Sequence, residues 1–198
     1  MSWMEWVAFI TNVICVYLIV REKDVNWPIG VLGSVALLNV FWEQKLYAQV
    51  GLQIFYVIEC LYGWWMWTRR DHCSGMKLIR IGKTKLRTAG FLIIAGVLGM
   101  VILYPIFRIT EDPAPFWDSL ITVASLVAEY MLCIKLYEAW GVYFVADLVS
   151  LIVLACLGMW ITLGTYGLFT VLCIMGIIAW RKTLNALQPA SSLASSIP

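Results

Sequence analysis

Histidine is nearly absent from this chain: there is one, and it stands in a loop rather than in an apolar run. No Cys-x-x-Cys pair, Gly-rich phosphate-cradling run or serine–base constellation is visible either. These gaps argue against zinc chemistry, nucleotide-phosphate handling and triad hydrolysis, so no enzymatic activity is expected. Six cysteines occur, at 15, 60, 73, 133, 156 and 173, and five of them lie in apolar runs. They read as small packing residues of membrane helices rather than as disulfides or metal ligands. His72-Cys73 is the one adjacent ligand pair, and with no second pair it implies no metal or other cofactor. Charge is scarce as well, at 13% of residues, and it falls almost wholly between the apolar runs. A basic n-region is missing before the first run, which carries Glu5, so that run is expected to be retained rather than cleaved.

What fills the chain instead is apolar: 62% of its residues, with a mean hydropathy of +0.85. A soluble domain is close to half apolar, and a chain this short cannot bury so many long apolar segments away from water. The pattern predicts an all-α polytopic membrane protein with seven spans, near 3–20, 27–42, 47–67, 88–107, 116–134, 139–160 and 162–180. Arg21-Glu22-Lys23-Asp24 closes the first span, Pro28 opens the second, and Pro113 and Pro115 make a turn before the fifth. On alternate sides of these spans, twelve of the 14 Lys and Arg share one side, seven of them between the third and fourth spans. The positive-inside rule then puts the N-terminus outside and the C-terminus in the cytoplasm. The basic third loop reads as a topology anchor, not a nucleic-acid patch.

The run from Trp27 to Trp67 returns when 113 is added to its landmarks. Trp27 meets Trp140, Tyr47 meets Trp160, Gly51 meets Gly164, Gly63 meets Gly176 and Trp67 meets Trp180. Spans one to three thus correspond to five to seven, with the fourth left over. An even number of spans between equivalents makes this a parallel repeat about an axis along the membrane normal. The expected parts are a first three-helix bundle (1–70), a basic loop and linker helix (71–115), a second bundle (116–183) and a disordered cytoplasmic tail (184–198).

Polar groups within the spans are the functional candidates, since a carboxylate near the bilayer centre costs roughly 2.5–3.5 kcal/mol on insertion scales. Asp118, Thr122, Ser125 and Glu129 form one helical stripe, and Trp140, Tyr143, Asp147 and Ser150 another. Gln49, Gln53, Tyr56, Cys60, Gly63 and Trp67 share a third face, with Glu59 beside it. Ser, Thr and Gly at such spacing pack helices, and Trp64, Trp65, Trp67 and Trp180 fit an interfacial aromatic belt. Glu59, Glu129 and Asp147 fit neither role, because the spans hold no Lys or Arg to pair them. Such acids are either protonated and hydrogen-bonded or face a polar cavity. Interleaved with Trp140, Tyr143, Tyr56, Tyr130 and Tyr166, they suit a flat organic cation.

Three stretches carry a resemblance: LYAQVGLQIFYVIECLYGWWMWTR (46–69), APFWDS (114–119) and KLYEAWGVYFVADLVS (135–150). They are similar to the Pnu family of bacterial vitamin transporters, from about the first span to Lys182. The resemblance implies a three-plus-one-plus-three fold like that of the SWEET sugar transporters, in the bacterial inner membrane. It also implies facilitated diffusion of a vitamin precursor that a separate cytosolic kinase traps by phosphorylation. The nicotinamide riboside branch carries Trp-x-x-Trp followed four residues later by Asn. Here Trp140 matches the first position, Tyr143 takes the second and Asp147 the third. These departures, with Glu59 and Glu129, favour thiamine, a thiazolium with an aminopyrimidine, over nicotinamide riboside and then riboflavin. The expected binding residues are Trp140 and Tyr143 on the ring, Asp147 and Glu129 on the charge or amino group, and Gln53 and Glu59 from the other half. Partners are then the vitamin and the bilayer, with no nucleic acid; a homo-oligomer is compatible with such a chain. The rival class is a membrane assembly factor or scaffold whose acids pair with a partner's basic residues.

Overall fold

Leu, Ile, Val, Ala, Met and Trp dominate each apolar run, and in a bilayer their backbone must satisfy its hydrogen bonds within one segment, so the runs become helices. In a computed structural model, which describes residues 3–45, 47–69, 77, 79–110 and 113–194, seven helices follow one another. They are α1 (Trp3–Val20), α2 (Asn26–Glu43), α3 (Tyr47–Thr68), α4 (Leu86–Ile109), α5 (Pro115–Cys133), α6 (Ala139–Cys156) and α7 (Trp160–Ala194). His72, Cys73 and the last residues of the tail, 195–198, lie outside the described residues. Among the described residues, four stretches are long and apolar enough to cross a membrane by length and composition: α4, α5, α6 and Thr162–Ala186 of α7. Trp6–Val20 is apolar but shorter. α6 ends before the expected 160 because Gly158 turns the chain at φ 71°. α7 runs to Ala194, beyond the expected end of the last span.

The turns repeat with the sequence. Glu22 (φ 52°) follows α1 and Lys135 (φ 53°) follows α5, 113 residues apart, and both occupy the left-handed region that residues other than glycine rarely enter. Each closes a Schellman motif. Glu22 N–H donates to Ile19 O at 2.9 Å and Lys23 N–H to Leu18 O at 3.0 Å; Lys135 N–H donates to Leu132 O at 3.0 Å and Leu136 N–H to Met131 O at 2.9 Å. Lys45 (φ 59°) and Gly158 form the other equivalent pair. α1 packs on α2 and α2 on α3; α5 packs on α6 and α6 on α7. α3 against α5 and α1 against α7 join the two sets, and α4 packs on α5 with most of its surface exposed.

Where the sets meet, four tryptophans form the most buried part of the core. Trp27 meets Trp67 edge to face, with centroids 5.3 Å apart at 85°, and Trp140 meets Trp180 likewise at 5.5 Å and 87°. Trp67 and Trp180 touch each other at 6.3 Å. Trp67 Nε1 donates to Leu132 O and Cys133 O, both at 3.1 Å, and Trp180 Nε1 donates to Ile19 O at 3.3 Å. Ile19 and Leu132 are themselves equivalent positions, so each half caps the end of the other's first helix. The belt expected for Trp67 and Trp180 is therefore corrected: both are fully buried, whereas Trp64 and Trp65 are exposed. The helical period decides this, since Cys60, Gly63 and Trp67 share the inner face of α3 and Trp64 and Trp65 fall outside it. Trp67→Phe removes one N–H from two buried carbonyls. It is expected to cost about 1–2 kcal/mol, read as a lower Tm in detergent.

Beside this cluster, Lys135 is buried to 2% exposure, lies 4.2 Å from the centroid of the Trp67 ring and pairs with Glu22 Oε2 at 3.1 Å. Burial pushes the Lys135 ammonium pKa below its usual value, and the facing Glu22 carboxylate opposes that shift. Segment 79–85 lies across the α5–α6 turn: Gly82 N–H donates to Lys135 O at 3.1 Å and Tyr137 N–H to Gly82 O at 3.0 Å. Thr84 donates to Glu138 Oε2 from its backbone at 3.0 Å and its hydroxyl at 2.8 Å, and Lys77 pairs with Asp24 at 2.6 Å. Lys77 and segment 79–85 are thus docked on the two equivalent turns.

Candidate functional site

A cavity of about 300 Å³ lies between the two sets of helices, at the lower end of the roughly 300–1,000 Å³ usual for small-molecule sites. Its wall obeys the repeat. Eight pairs of positions 113 apart both face it: Asn12/Ser125, Val16/Glu129, Ile19/Leu132, Gly30/Tyr143, Ser34/Asp147, Gln53/Tyr166, Tyr56/Phe169 and Cys60/Cys173. Equivalent positions of both halves therefore line the cavity, and the two halves line it with different chemistry. Where the first offers Val16, Gly30 and Ser34, the second offers Glu129, Tyr143 and Asp147.

Of the six expected binding residues, the structure gathers Gln53, Glu129, Trp140, Tyr143 and Asp147 around this cavity. Tyr143 O–H donates to Glu129 Oε2 at 2.6 Å, a short bond that fixes one carboxylate oxygen and the phenol together. The Cys173 thiol donates to Asp147 Oδ2 at 3.4 Å. Among the described residues, no Lys or Arg stands on the cavity wall to meet the remaining carboxylate oxygens. Trp140 presses one face on α7 and its edge on Trp180, and its Nε1–H, deeply buried, has no partner among the described residues. Tyr56, Tyr143 and Tyr166 complete an aromatic lining. Chemically, carboxylates and ring faces brought together in this way suit a planar group carrying positive charge.

Glu59 is placed elsewhere. It lines a second cavity, of about 660 Å³, between α3, α4 and α5, whose other walls are almost wholly apolar. Its Oε2 is buried without a hydrogen-bond partner among the described residues, and its backbone carbonyl accepts the Cys133 thiol at 3.4 Å. A third cavity, of about 340 Å³, shares Gln53, Tyr56, Ser125 and Tyr166 with the first and reaches Gln49, Asp118 and Thr162 near the starts of α3, α5 and α7. Sequence reasoning set the cysteines aside as packing, yet Cys15, Cys60 and Cys173 all face the first cavity. The repeat was the available signal, since Cys60 and Cys173 are equivalent positions. Gly63 and Gly176 seat Trp27 and Trp140: a Cβ at either would overlap the indole ring. Gly51 and Gly164 have open space beside them.

The sequence model of the family described as nicotinamide mononucleotide transporter matches residues 2–182. The nicotinamide riboside transporter PnuC of Escherichia coli (strain K12) is 25% identical over 222 aligned positions, which cover 99% of this chain and 91% of that protein. The riboflavin/roseoflavin transporter RibM of Streptomyces davaonensis is 29% identical over 157 positions, covering 75% of this chain and 70% of its own. Among solved structures, the crystal structure of the vitamin B3 transporter PnuC superposes with a TM-score of 0.72 at 21% identity, covering 93% of this chain and 83% of that one.

Proposed function

We infer the function from one premise: the chain belongs to the nicotinamide mononucleotide transporter family, the Pnu family of membrane vitamin transporters. We propose that it carries a positively charged aromatic vitamin into the cell by facilitated diffusion, and that a separate cytosolic kinase traps the product. Thiamine is the first candidate. The observation that carries this reading is the cavity between the two halves, on the axis of the proposed repeat, where Glu129 and Asp147 stand among Trp140, Tyr143 and Tyr166 with no basic residue on the wall among the described residues. The aminopyrimidine offers N–H donors to one carboxylate, and the thiazolium places its charge near the other. In this reading Gln53 binds from the first half, and Glu59 acts from behind α3 rather than by touching the vitamin.

Nicotinamide riboside is the second candidate, supported by the name of the relatives that share most of this chain's length. It too is cationic, so charge suits both. The proposed architecture is a three-plus-one-plus-three parallel repeat, with α4 as the linker and the halves rocking about the cavity. The excess of Lys and Arg supports an orientation with the N-terminus outside and the Glu22 and Lys135 turns in the cytoplasm.

Purified protein in liposomes without any ion gradient is expected to equilibrate radiolabelled thiamine, and unlabelled nicotinamide riboside competes if the site accepts both. Flux that appears only under an imposed proton gradient would overturn facilitated diffusion. No saturable quenching of tryptophan fluorescence by thiamine, nicotinamide riboside or riboflavin would favour a scaffold.

A further inference from the structure

We propose that Glu22 and Lys135, with Trp67 and Trp180 above them, form the latch that closes one end of the transport path. This rests on the carrier reading. Ile19 and Leu132 form part of the floor of the axial cavity. Their carbonyls are held by Trp180 and Trp67, and each of these bonds runs from one half to the other. Beyond the indoles, the Glu22–Lys135 pair joins the same two halves, with the ammonium lying over the Trp67 ring. The hydroxyl of Thr183, also in the second half, donates to Glu22 Oε1 at 3.4 Å.

The other contacts of the cluster have a different character. Trp27 on Gly63, Trp140 on Gly176 and the two edge-to-face pairs each stay within one half. If the halves separate as rigid bodies, those contacts survive. What breaks includes the indole bonds to Leu132, Cys133 and Ile19, the Trp67–Trp180 contact, the Tyr62–Tyr130 stack, the ion pair, the Thr183 hydroxyl bond to Glu22, and the Cys133 thiol bond to Glu59 O. A buried ion pair adds little stability over an apolar one of the same shape, and its best-attested use is to select one arrangement. Here it joins two turns that both hold a left-handed residue at the crossing point, so the charges meet only when the halves are in register. The third cavity adjoins the first at the opposite ends of α3, α5 and α7, so the latched end is the one that must open to complete transport.

The test reads opening directly. Protein carrying Cys73→Ser and Cys156→Ser is oriented in liposomes, and a charged, membrane-impermeant maleimide is added on the Lys135 side. The cavity thiols Cys15, Cys60 and Cys173 are expected to react slowly. Glu22→Gln should raise their labelling about tenfold by shifting the population toward the open state, and the charge swap Glu22→Lys with Lys135→Glu should return it towards the parent rate. In a second arm, Glu22→Cys with Lys135→Cys is cross-linked by oxidation. Flux of thiamine and of nicotinamide riboside should stop, ligand binding from the opposite side should persist, and a reductant should restore flux. Labelling unchanged by Glu22→Gln, or full flux in the cross-linked protein, would overturn the latch. A labelling difference without flux of either vitamin in any form supports the latch and overturns the carrier reading instead.

Discussion

Asp147→Asn is expected to weaken thiamine binding by tenfold or more, the equivalent of about 1.5–3 kcal/mol for one charge-assisted contact. Nicotinamide riboside binding should hold or improve, because the change restores the Asn of that branch's motif. The substitution suits a test of charge because it keeps the shape of the side chain. Asn Oδ1 still accepts from the Cys173 thiol, which meets Asp147 at 3.4 Å, so the α6–α7 contact survives. Glu129→Gln is the companion: its Oε1 still accepts from Tyr143 O–H, bonded to Glu129 at 2.6 Å. If both neutral variants bind thiamine less well yet keep the parent's Tm, the acids act on the ligand's charge. Titration of tryptophan fluorescence reads both. Unchanged affinity for both vitamins in Asp147→Asn would remove Asp147 from the site.

Much of this site is legible in the chain because the membrane makes polar residues conspicuous. Gln53, Glu129, Tyr143 and Asp147 stand out against apolar neighbours; helical spacing puts Glu129 on one stripe and Tyr143 with Asp147 on another, and the packing of α5 on α6 brings the two stripes to one cavity. Glu59 shows where that reasoning stops. It stands one residue from Cys60, which faces the axial cavity, and a rotation of about 100° per residue carries it round to the groove beside α4. A stripe read from sequence has no sharp edge, and only the placement of α4 decides what lies there. The tryptophans show the converse. Composition puts Trp67 at the interface, because indoles favour that depth. The glycines opposite them, at 63 and 176, carry the information that overrides it: each leaves a flat seat for one ring, and that ring supports the next. Repeat matching pairs these residues but cannot say that they touch. The crossing of Trp67 to Leu132 and of Trp180 to Ile19 joins residues 65 and 161 apart in sequence, and no local pattern contains it.

That seating gives the largest expected loss of stability. Gly176→Ala and Gly63→Ala each press a Cβ into the face of an indole ring that is fully buried and packed in a T-shaped pair with a second indole. Overpacking of this kind costs about 1–3 kcal/mol, and more where the neighbour cannot move aside. Loss of a monodisperse peak in detergent, or a large fall in Tm, is the expected reading. Gly51→Ala and Gly164→Ala are the controls, since nothing stands within 4 Å of the added carbon; they should change stability by no more than about 0.5–1 kcal/mol. The two seats differ in function, and compensating substitutions separate them. Trp27→Leu combined with Gly63→Ala relieves the clash in the first half, and ligand binding should return with the fold, because Trp27 does not face the axial cavity. Trp140→Leu combined with Gly176→Ala relieves the same clash in the second half, yet binding should stay at least tenfold weaker, because Trp140 is part of the cavity wall. Equal recovery of binding in both double variants would make Trp140 a packing residue only, and would leave Tyr56, Tyr143 and Tyr166 to hold the ring.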